Sequence, residues 1–275
     1  MTRPKELFKY IKLIYEKIKN KMKYGVEIFM YSKLNGINYE LIENSSAKEN
    51  LVFVHGSGCN NKFLKPLAKK LSEFNCYLID LPDHGKSDNR NCNKVEDYIE
   101  AVGDFVSNID NVILVGHSLG GTICLGVAAK HIKTVKKNII ISSGAKFDKL
   151  DKRIHNMVAN KKVDWIYLIK CLGLYFNADV IIDYLNFEPS NLIIKDFDID
   201  IQLDLNDVIS NINIPTLIMV GSDDILTLPE YSHEIHSKIK DSKLMIIPKY
   251  KHMLPIADSA GVARLIKEFI LGKIN

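Results

Sequence analysis

The chain runs through two hydrophobic rhythms. Residues 5 to 22 place apolar side chains at Leu7, Ile11, Ile14, Ile18 and Met22 with lysines between them, which is the three-and-four spacing of one helical stripe. An amphipathic, basic helix is predicted there. From Gly25 the rhythm becomes that of strands: VEIFMY, a Leu34-Asn35-Gly36 turn, then INYELIE. Asn-Gly between two β-rich runs predicts an antiparallel hairpin. Beyond a polar stretch at 44–50, the short apolar runs LVFVH, CYLID, VILVG, NIIIS, PTLIMVG and KLMIIP alternate with helical stretches. Runs apolar on both faces and separated by helices are what a parallel sheet covered on two sides requires. The expected fold class is therefore α/β, a mostly parallel central sheet with an antiparallel entry hairpin and helices on both faces.

The alternation breaks once. Between about Gly144 and Asn213 the chain offers helical stretches (DKRIHNMVAN, VDWIYLIKCLGLYF, ADVIIDYLNF) and no buried strand, and the sheet pattern resumes at Ile214. An insertion at about 145–212, forming a helical cap over the carboxyl edge of the sheet, accounts for this. The expected organisation is a basic helix over residues 1–24 followed by one α/β domain over 25–275 that carries the cap. No internal repeat or low-complexity tract interrupts it.

Composition narrows the function classes. Of 275 residues, 47% are hydrophobic and 25% charged, an ordinary globular balance. No apolar run reaches the roughly 18 to 20 residues of a membrane span, and MTRPKELFKYIKL has no apolar core of a signal peptide. A soluble, cytoplasmic protein is expected. Only Arg3, Arg90, Arg153 and Arg264 are arginine, and the net charge of +4 comes from dispersed lysines. Nucleic-acid readers cluster basic residues and use arginine forks, so no nucleic-acid partner is expected. Five cysteines without a CxxC pair suggest neither a zinc site nor a disulfide framework. Residues 1–25 hold eight basic and two acidic side chains, a local +6. Such a helix can touch an anionic membrane surface weakly; the plainer reading packs it on its own domain with a solvated lysine face.

The chemistry begins at Asn111-Val-Ile-Leu-Val-Gly-His-Ser-Leu-Gly-Gly121. A buried strand leads into Gly116-x-Ser118-x-Gly120, and the helix former TICLGVAAKH follows. A serine forced into a sharp strand-to-helix turn tolerates almost no bulk two positions before and after it, because the backbone there presses on its neighbours. The turn lifts the Ser118 hydroxyl above the sheet, and the helix points free N–H groups at the same spot. An anion forming on a carbonyl beside Ser118 would meet the backbone N–H of Leu119. His117 cannot point where Ser118 points and reads as its structural neighbour.

Four further stretches accompany this one: His55-Gly-Ser-Gly58 after LVFV, Asp80-Leu-Pro-Asp-His-Gly-Lys-Ser87, Gly221-Ser-Asp-Asp224 and Lys251-His252-Met253. In order and spacing the set resembles the α/β-hydrolase fold superfamily, in its cap-bearing serine-esterase and monoacylglycerol-lipase-like branch, over roughly residues 26 to 272. The resemblance implies a catalytic acid and then a histidine after the serine. Asp223 and Asp224 both stand at the end of PTLIMVG, and the family spacing selects Asp224. It places the general base at His252, after KLMIIP, and a second oxyanion donor at the backbone N–H of Ser57. His84, His131, His155, His233 and His236 read as structural or surface residues. Asp83 departs from the family, which usually has glycine there; the position tends to a positive φ, which aspartate tolerates.

What the resemblance implies about function is a serine hydrolase, cleaving a carboxylic ester of small or medium acyl chain through an acyl-enzyme on Ser118, with no cofactor and no metal. A small-molecule ester is the implied partner. Trp165, Ile166, Leu168, Ile169, Leu172, Leu174 and Phe176, with Val180 to Leu185 after them, are apolar enough for a greasy acyl slot, and equally suit packing of the cap. Serine at position 118 argues against the dehalogenases and epoxide hydrolases of this fold, which use aspartate. Thioesterase, acyltransferase, peptidase and carbon-carbon hydrolase chemistry remain open, as does a small-molecule receptor or sensor with little turnover.

Overall fold

The computed structural model describes residues 32–173 and 187–274. The predicted basic helix at 5–22, the VEIFMY run and the part of the insertion at 174–186 lie outside the described residues. The first pair of strands is β1 (Ser32–Leu34) and β2 (Ile37–Ile42), antiparallel across Asn35 and Gly36. Both turn residues take positive φ, 51° and 75°, which gives the primed turn whose twist matches a hairpin.

The chain then alternates: β3 (Asn50–Val54), α1 (Lys65–Ala68), β4 (Asn75–Ile79), α2 (Val95–Val106), β5 (Val112–His117), α3 (Leu119–Ala129) and β6 (Val135–Ile141). Next come three helices, α4 (Lys152–Ala159), α5 (Trp165–Leu172) and α6 (Ser190–Gln202), and a 3-10 turn at Ile209–Asn211. The sheet resumes with β7 (Thr216–Gly221), α7 (Pro229–Lys238), β8 (Ser242–Ile247), α8 (Leu254–Ala257) and α9 (Ser259–Ile270). The eight strands form one sheet in the order β1-β2-β4-β3-β5-β6-β7-β8. β2 meets β4 antiparallel, and every pairing from β4 to β8 is parallel.

The period of two along each strand divides one apolar run between two cores. Val52, Val54, Leu114, Ile140 and Ile218 face α2, α3 and α7. Their neighbours Leu51, Phe53, Ile113, Val115, Ile139 and Met219 face α1, α9 and the helices of the insertion. Both sets are buried, which is why these strands read as continuous apolar runs. β8 differs from the expectation that KLMIIP is covered on both faces, since most of its residues are only half-buried. As an edge strand it has a partner on one side alone, β7.

Between β6 and β7 the described residues hold helices and one isolated bridge, Lys146 to Asp204, without a strand. Asp151 and Asp164 cap α4 and α5 by accepting the N–H groups of Arg153 and Tyr167, and Gly173 ends α5 in the left-handed region. α6 is not among the helical stretches that the pattern predicts. Its DFDID run alternates polar and apolar residues, and that local period of two hides a helix. Among the described residues no helix is long and apolar enough to cross a membrane.

The strand order opens a crevice at one end of the sheet. From β3 the chain steps to β4 on one side, while β5 lies on the other side of β3. Connections that leave adjacent parallel strands in opposite directions part at their carboxyl ends and leave a gap between them. Leu114 lies in β5 beneath that crevice and is fully buried. Leu114→Ala is therefore expected to lower the unfolding free energy by about 2–5 kcal/mol, read from urea denaturation; a change under about 0.5 kcal/mol would contradict the packing described.

Candidate active site

The turn from β5 into α3 is the most constrained point in the crevice. Ser118 has φ 55° and ψ −128°, a sparsely populated conformation for a side-chain-bearing residue, costing on the order of 1–3 kcal/mol and kept only where the surroundings over-determine it. Here they do. The Ser118 N–H donates to the Ile141 carbonyl at 3.1 Å. The Ser118 carbonyl accepts from Gly121 N–H at 2.8 Å and from the Ser143 hydroxyl at 2.7 Å. A Cβ on Gly120 would sit 2.1 Å from the Val54 carbonyl oxygen, and one on Gly116 would sit 2.3 Å from the Gly120 carbonyl oxygen. No side chain fits at either position, so strand and helix close directly on each other. Leu119 opens α3, and the N–H groups of a first helical turn have no partner within their own helix.

The acid and the imidazole come from the two strands at the far edge. Asp224, just past β7, and His252, in the loop after β8, are both buried. His252 Nδ1 lies 3.0 Å from Asp224 Oδ2. Asp224 Oδ1 accepts the backbone N–H groups of Leu226 and Thr227 at 2.9 Å each, and Oδ2 accepts the Thr227 hydroxyl at 2.8 Å. Burial would raise its carboxyl pKa, but the imidazole and these donors outweigh burial and hold it below the usual value. Asp223 is exposed and takes a hydrogen bond from Ser222 instead. Sequence reasoning does not single out Thr227. Its hydroxyl is 3.0 Å from His252 Nδ1 as well as bonded to Asp224, so it braces the pair from the side. The signal that could have found it is the three-residue offset from an aspartate, the spacing at which such side chains meet local backbone and hydroxyl donors.

His117 does more than fill space beside Ser118. Its ring packs 4.7 Å from the His252 ring, and its Nε2 is 2.9 Å from the His252 carbonyl oxygen. A carbonyl only accepts, so Nε2 carries the proton, and among the described residues Nδ1 has no partner that would hold a second one. Burial, then the neighbouring imidazole, drive its pKa down to about 3, in agreement. Of the remaining histidines, His131, His155, His233 and His236 are exposed, whereas His84 is fully buried.

The loop after β3 carries the second predicted donor, and α6 grips it. Asp196 Oδ2 accepts the Gly58 N–H at 2.7 Å and lies 2.8 Å from His84 Nε2, while Oδ1 accepts the Tyr98 hydroxyl at 3.0 Å. His84 Nδ1 meets the Pro82 carbonyl at 2.8 Å. Both ring nitrogens thus face acceptors, which defines an imidazolium paired with a carboxylate. Burial opposes that charge, but Asp196 outweighs it and the His84 pKa is raised. One turn further along α6, Asp200 Oδ2 accepts the Ser57 hydroxyl at 2.7 Å. Burial, assisted by the charge of Asp196, pushes the Asp200 carboxyl up to about 8. Asp83 has φ 68°, and its carboxylate has a clear task. It accepts the N–H groups of Arg90, Asn91 and Cys92 and pairs with Lys195 of α6 at 2.5 Å.

Ser57, Ser118, His117 and His252 line one cavity whose remaining wall is apolar, with Leu168, Leu172, Ile193, Phe197, Leu226 and Met253 among its residues. The Ser118 hydroxyl and the His252 ring share this cavity without a hydrogen bond between them among the described residues. Apo sites often hold such a pair loosely and tighten it on binding. The cavity measures about 30 Å³, room for about two waters at roughly 10–15 Å³ each. Near the Ser118 hydroxyl stand an imidazole bonded to a buried carboxylate and an apolar wall, and among the described residues no cluster of His, Cys, Asp and Glu is arranged to hold a metal ion.

Fold and site together define a hydrolase. The sequence profile of the alpha/beta hydrolase family matches residues 51–265, and the chain belongs to that family. A lipase-esterase related protein from Clostridium acetobutylicum is 37% identical, with a TM-score of 0.81 over 85% of this chain and 99% of its own. The proline iminopeptidase of Saccharolobus solfataricus is 26% identical over 87% of this chain and 91% of its own length. A pimeloyl-acyl-carrier-protein methyl ester esterase of Neisseria meningitidis is 23% identical over 83% and 79%. The chain is thus similar to esterases and to a peptidase.

Two outcomes are expected from this geometry. Gly120→Ala should destabilise by about 1–3 kcal/mol, because the rigid Val54 carbonyl cannot yield and the strain exceeds the gain of about 1 kcal/mol in helix propensity. Gly103→Ala in α2, which meets only the flexible Ile132 Cδ1 at 3.3 Å, should be neutral or stabilising; equal effects in thermal melts would refute the distinction. Asp200, with a folded pKa near 8 against an unfolded one of about 3.9, holds a proton that the unfolded chain has lost across that window. Stability contributed by this group therefore falls as pH rises from about 4 to 8. Asp200→Asn should gain stability relative to the parent between pH 5 and pH 8.5 in denaturant titrations, and a constant difference would contradict the raised pKa.

Proposed function

We propose that the protein is a serine hydrolase that cleaves carboxylic esters of small or medium acyl length through an acyl-enzyme on Ser118. The observation that carries this reading is the convergence of Ser118, His252 and Ser57 on one apolar cavity, with His252 Nδ1 anchored 3.0 Å from the buried Asp224. With its Nδ1 proton directed at Asp224, His252 leaves Nε2 as a base, and that atom takes the Ser118 proton as the hydroxyl oxygen attacks the ester carbonyl. The carbonyl oxygen becomes an oxyanion between the N–H groups of Ser57 and Leu119; loss of one such donor costs about 2.7–4 kcal/mol in comparable sites. The imidazolium returns its proton to the departing alkoxide, which leaves as the alcohol. Water, deprotonated by the same imidazole, then releases the acid and restores Ser118. Asp224 stabilises the imidazolium in both halves of the cycle.

The small cavity and its apolar wall support a short acyl group. The likeness to two esterase-type proteins supports an ester over an amide, and the iminopeptidase relative makes an amide panel the necessary comparison. On p-nitrophenyl esters from acetate to octanoate, turnover should be highest at the short end. Ser118→Ala and His252→Ala should each lower kcat at least about 10³-fold, and Asp224→Asn should impair turnover far more than Asp223→Asn. A reversed aspartate ranking would remove Asp224 from the assignment. Equal background in parent and Ser118→Ala, together with tight ligand binding, would replace the enzyme by a receptor of the same fold.

A further inference from the structure

Asp200 is 5% exposed, and among the described residues only one of its oxygens is hydrogen-bonded: Oδ2 takes the Ser57 hydroxyl, while Oδ1 has no partner there. A buried acid that serves packing alone has both oxygens satisfied or is better replaced by an apolar group. The single bond that Asp200 makes goes to the residue whose backbone N–H is the second oxyanion donor. One turn earlier on the same face of α6, Asp196 holds the next N–H of that loop, from Gly58, at 2.7 Å. The Cys59 N–H donates back to the Gly56 carbonyl at 3.2 Å. The turn from 56 to 59 is therefore fixed at its Ser57 side chain, at its Gly58 backbone and at its closing hydrogen bond. Ser57 itself lines the cavity.

We propose that Asp200 is a positioning residue for the oxyanion hole, its carboxyl gripping the Ser57 hydroxyl so that the Ser57 backbone N–H is aimed at the carbonyl oxygen of the substrate. The role rests on the serine-hydrolase reading above. It makes α6, which lies between β6 and β7 in the chain, part of the machinery that stabilises the transition state. Preorganised donors stabilise an oxyanion because they need not turn to meet it, and an N–H that wanders loses that advantage while still admitting the substrate. Removal of the grip is thus a kcat defect, not a KM defect.

The test is steady-state hydrolysis of p-nitrophenyl acetate by the parent, Asp200→Ala, Asp200→Asn, Ser57→Ala and the double variant Ser57→Ala/Asp200→Ala, with thermal melts of each. Asp200→Ala and Ser57→Ala should each lower kcat by about tenfold or more with KM within about twofold. The double variant should be no worse than the poorer single one, since both remove the same bond. Asp200→Asn keeps an acceptor for the Ser57 hydroxyl and should recover kcat to within about threefold of the parent. The Tm of Asp200→Ala should not fall, because an unsatisfied buried oxygen leaves with the side chain.

A kcat for Asp200→Ala equal to that of the parent, multiplicative losses in the double variant, or an Asn variant as impaired as the Ala one would each overturn the role. If Asp200→Ala does not fold, Ser57→Ala and Asp200→Asn decide the question by the same criteria. A parent that neither turns over the ester nor labels at Ser118 with a fluorophosphonate sinks the hydrolase reading and the positioning role together. An active parent with an unaffected Asp200→Ala sinks the positioning role alone.

Discussion

The contact between the first turn of α3 and the carbonyls that end β3 governs the carboxyl end of the sheet. With 2.1 Å between a notional Cβ at Gly120 and the Val54 oxygen, helix and strand meet backbone to backbone. That approach forces Ser118 into a left-handed conformation, and it sets the first-turn N–H of Leu119 beside the loop after β3. The raised Ser118 hydroxyl and the neighbouring Leu119 N–H are therefore products of one steric constraint. A looser contact would release the strain and lose the geometry with it.

Around this rigid point three carboxylates meet basic side chains. Asp224 is matched by His252 and Thr227, Asp196 by His84, and Asp83 by Lys195. His55 and His117 stay neutral, each driven by burial and a neighbouring ring to a pKa of about 3. His55 makes use of that neutrality, since its Nε2 accepts the Leu81 N–H at 3.0 Å. The two motif histidines nearest Ser118 thus hold backbone, while the His252 ring is held by Asp224 and Thr227. Three neighbouring side chains of α6, Lys195, Asp196 and Asp200, reach three different loops or residues of the site, which ties the insertion to the sheet by charge as well as by apolar packing.

Much of this was legible in the sequence, for identifiable reasons. Apolar runs such as VILVG announce strands buried on both faces, and the glycines flanking Ser118 announce the sharp turn, because both signals are local. The hairpin at Asn35-Gly36 was legible on the same ground. What escaped was decided by distant partners. Thr227 gains its place only when β7 and β8 lie side by side and bring His252 against Asp224. Asp196 and Asp200 sit in DFDID, whose alternation imitates a strand, and their meaning appears only when α6 lies over the loop at 55–58. His84 reads as an ordinary loop histidine because nothing near it in the chain reveals the carboxylate it pairs with, 112 residues on. The exposure of β8 belongs to its edge position, which composition does not report.

The hydrogen bond from His117 to the His252 carbonyl spans 135 residues of chain. The bend at Ser118 is held by β3, β5 and α3 together with Ile141 at the end of β6 and Ser143 just beyond it, whereas His252 arrives only with the final strand and the loop behind it. Contacts of such long range form late, after the intervening chain has been ordered. The gathering of Ser118, His117 and His252 around one cavity therefore requires nearly all of the described chain to have closed upon itself.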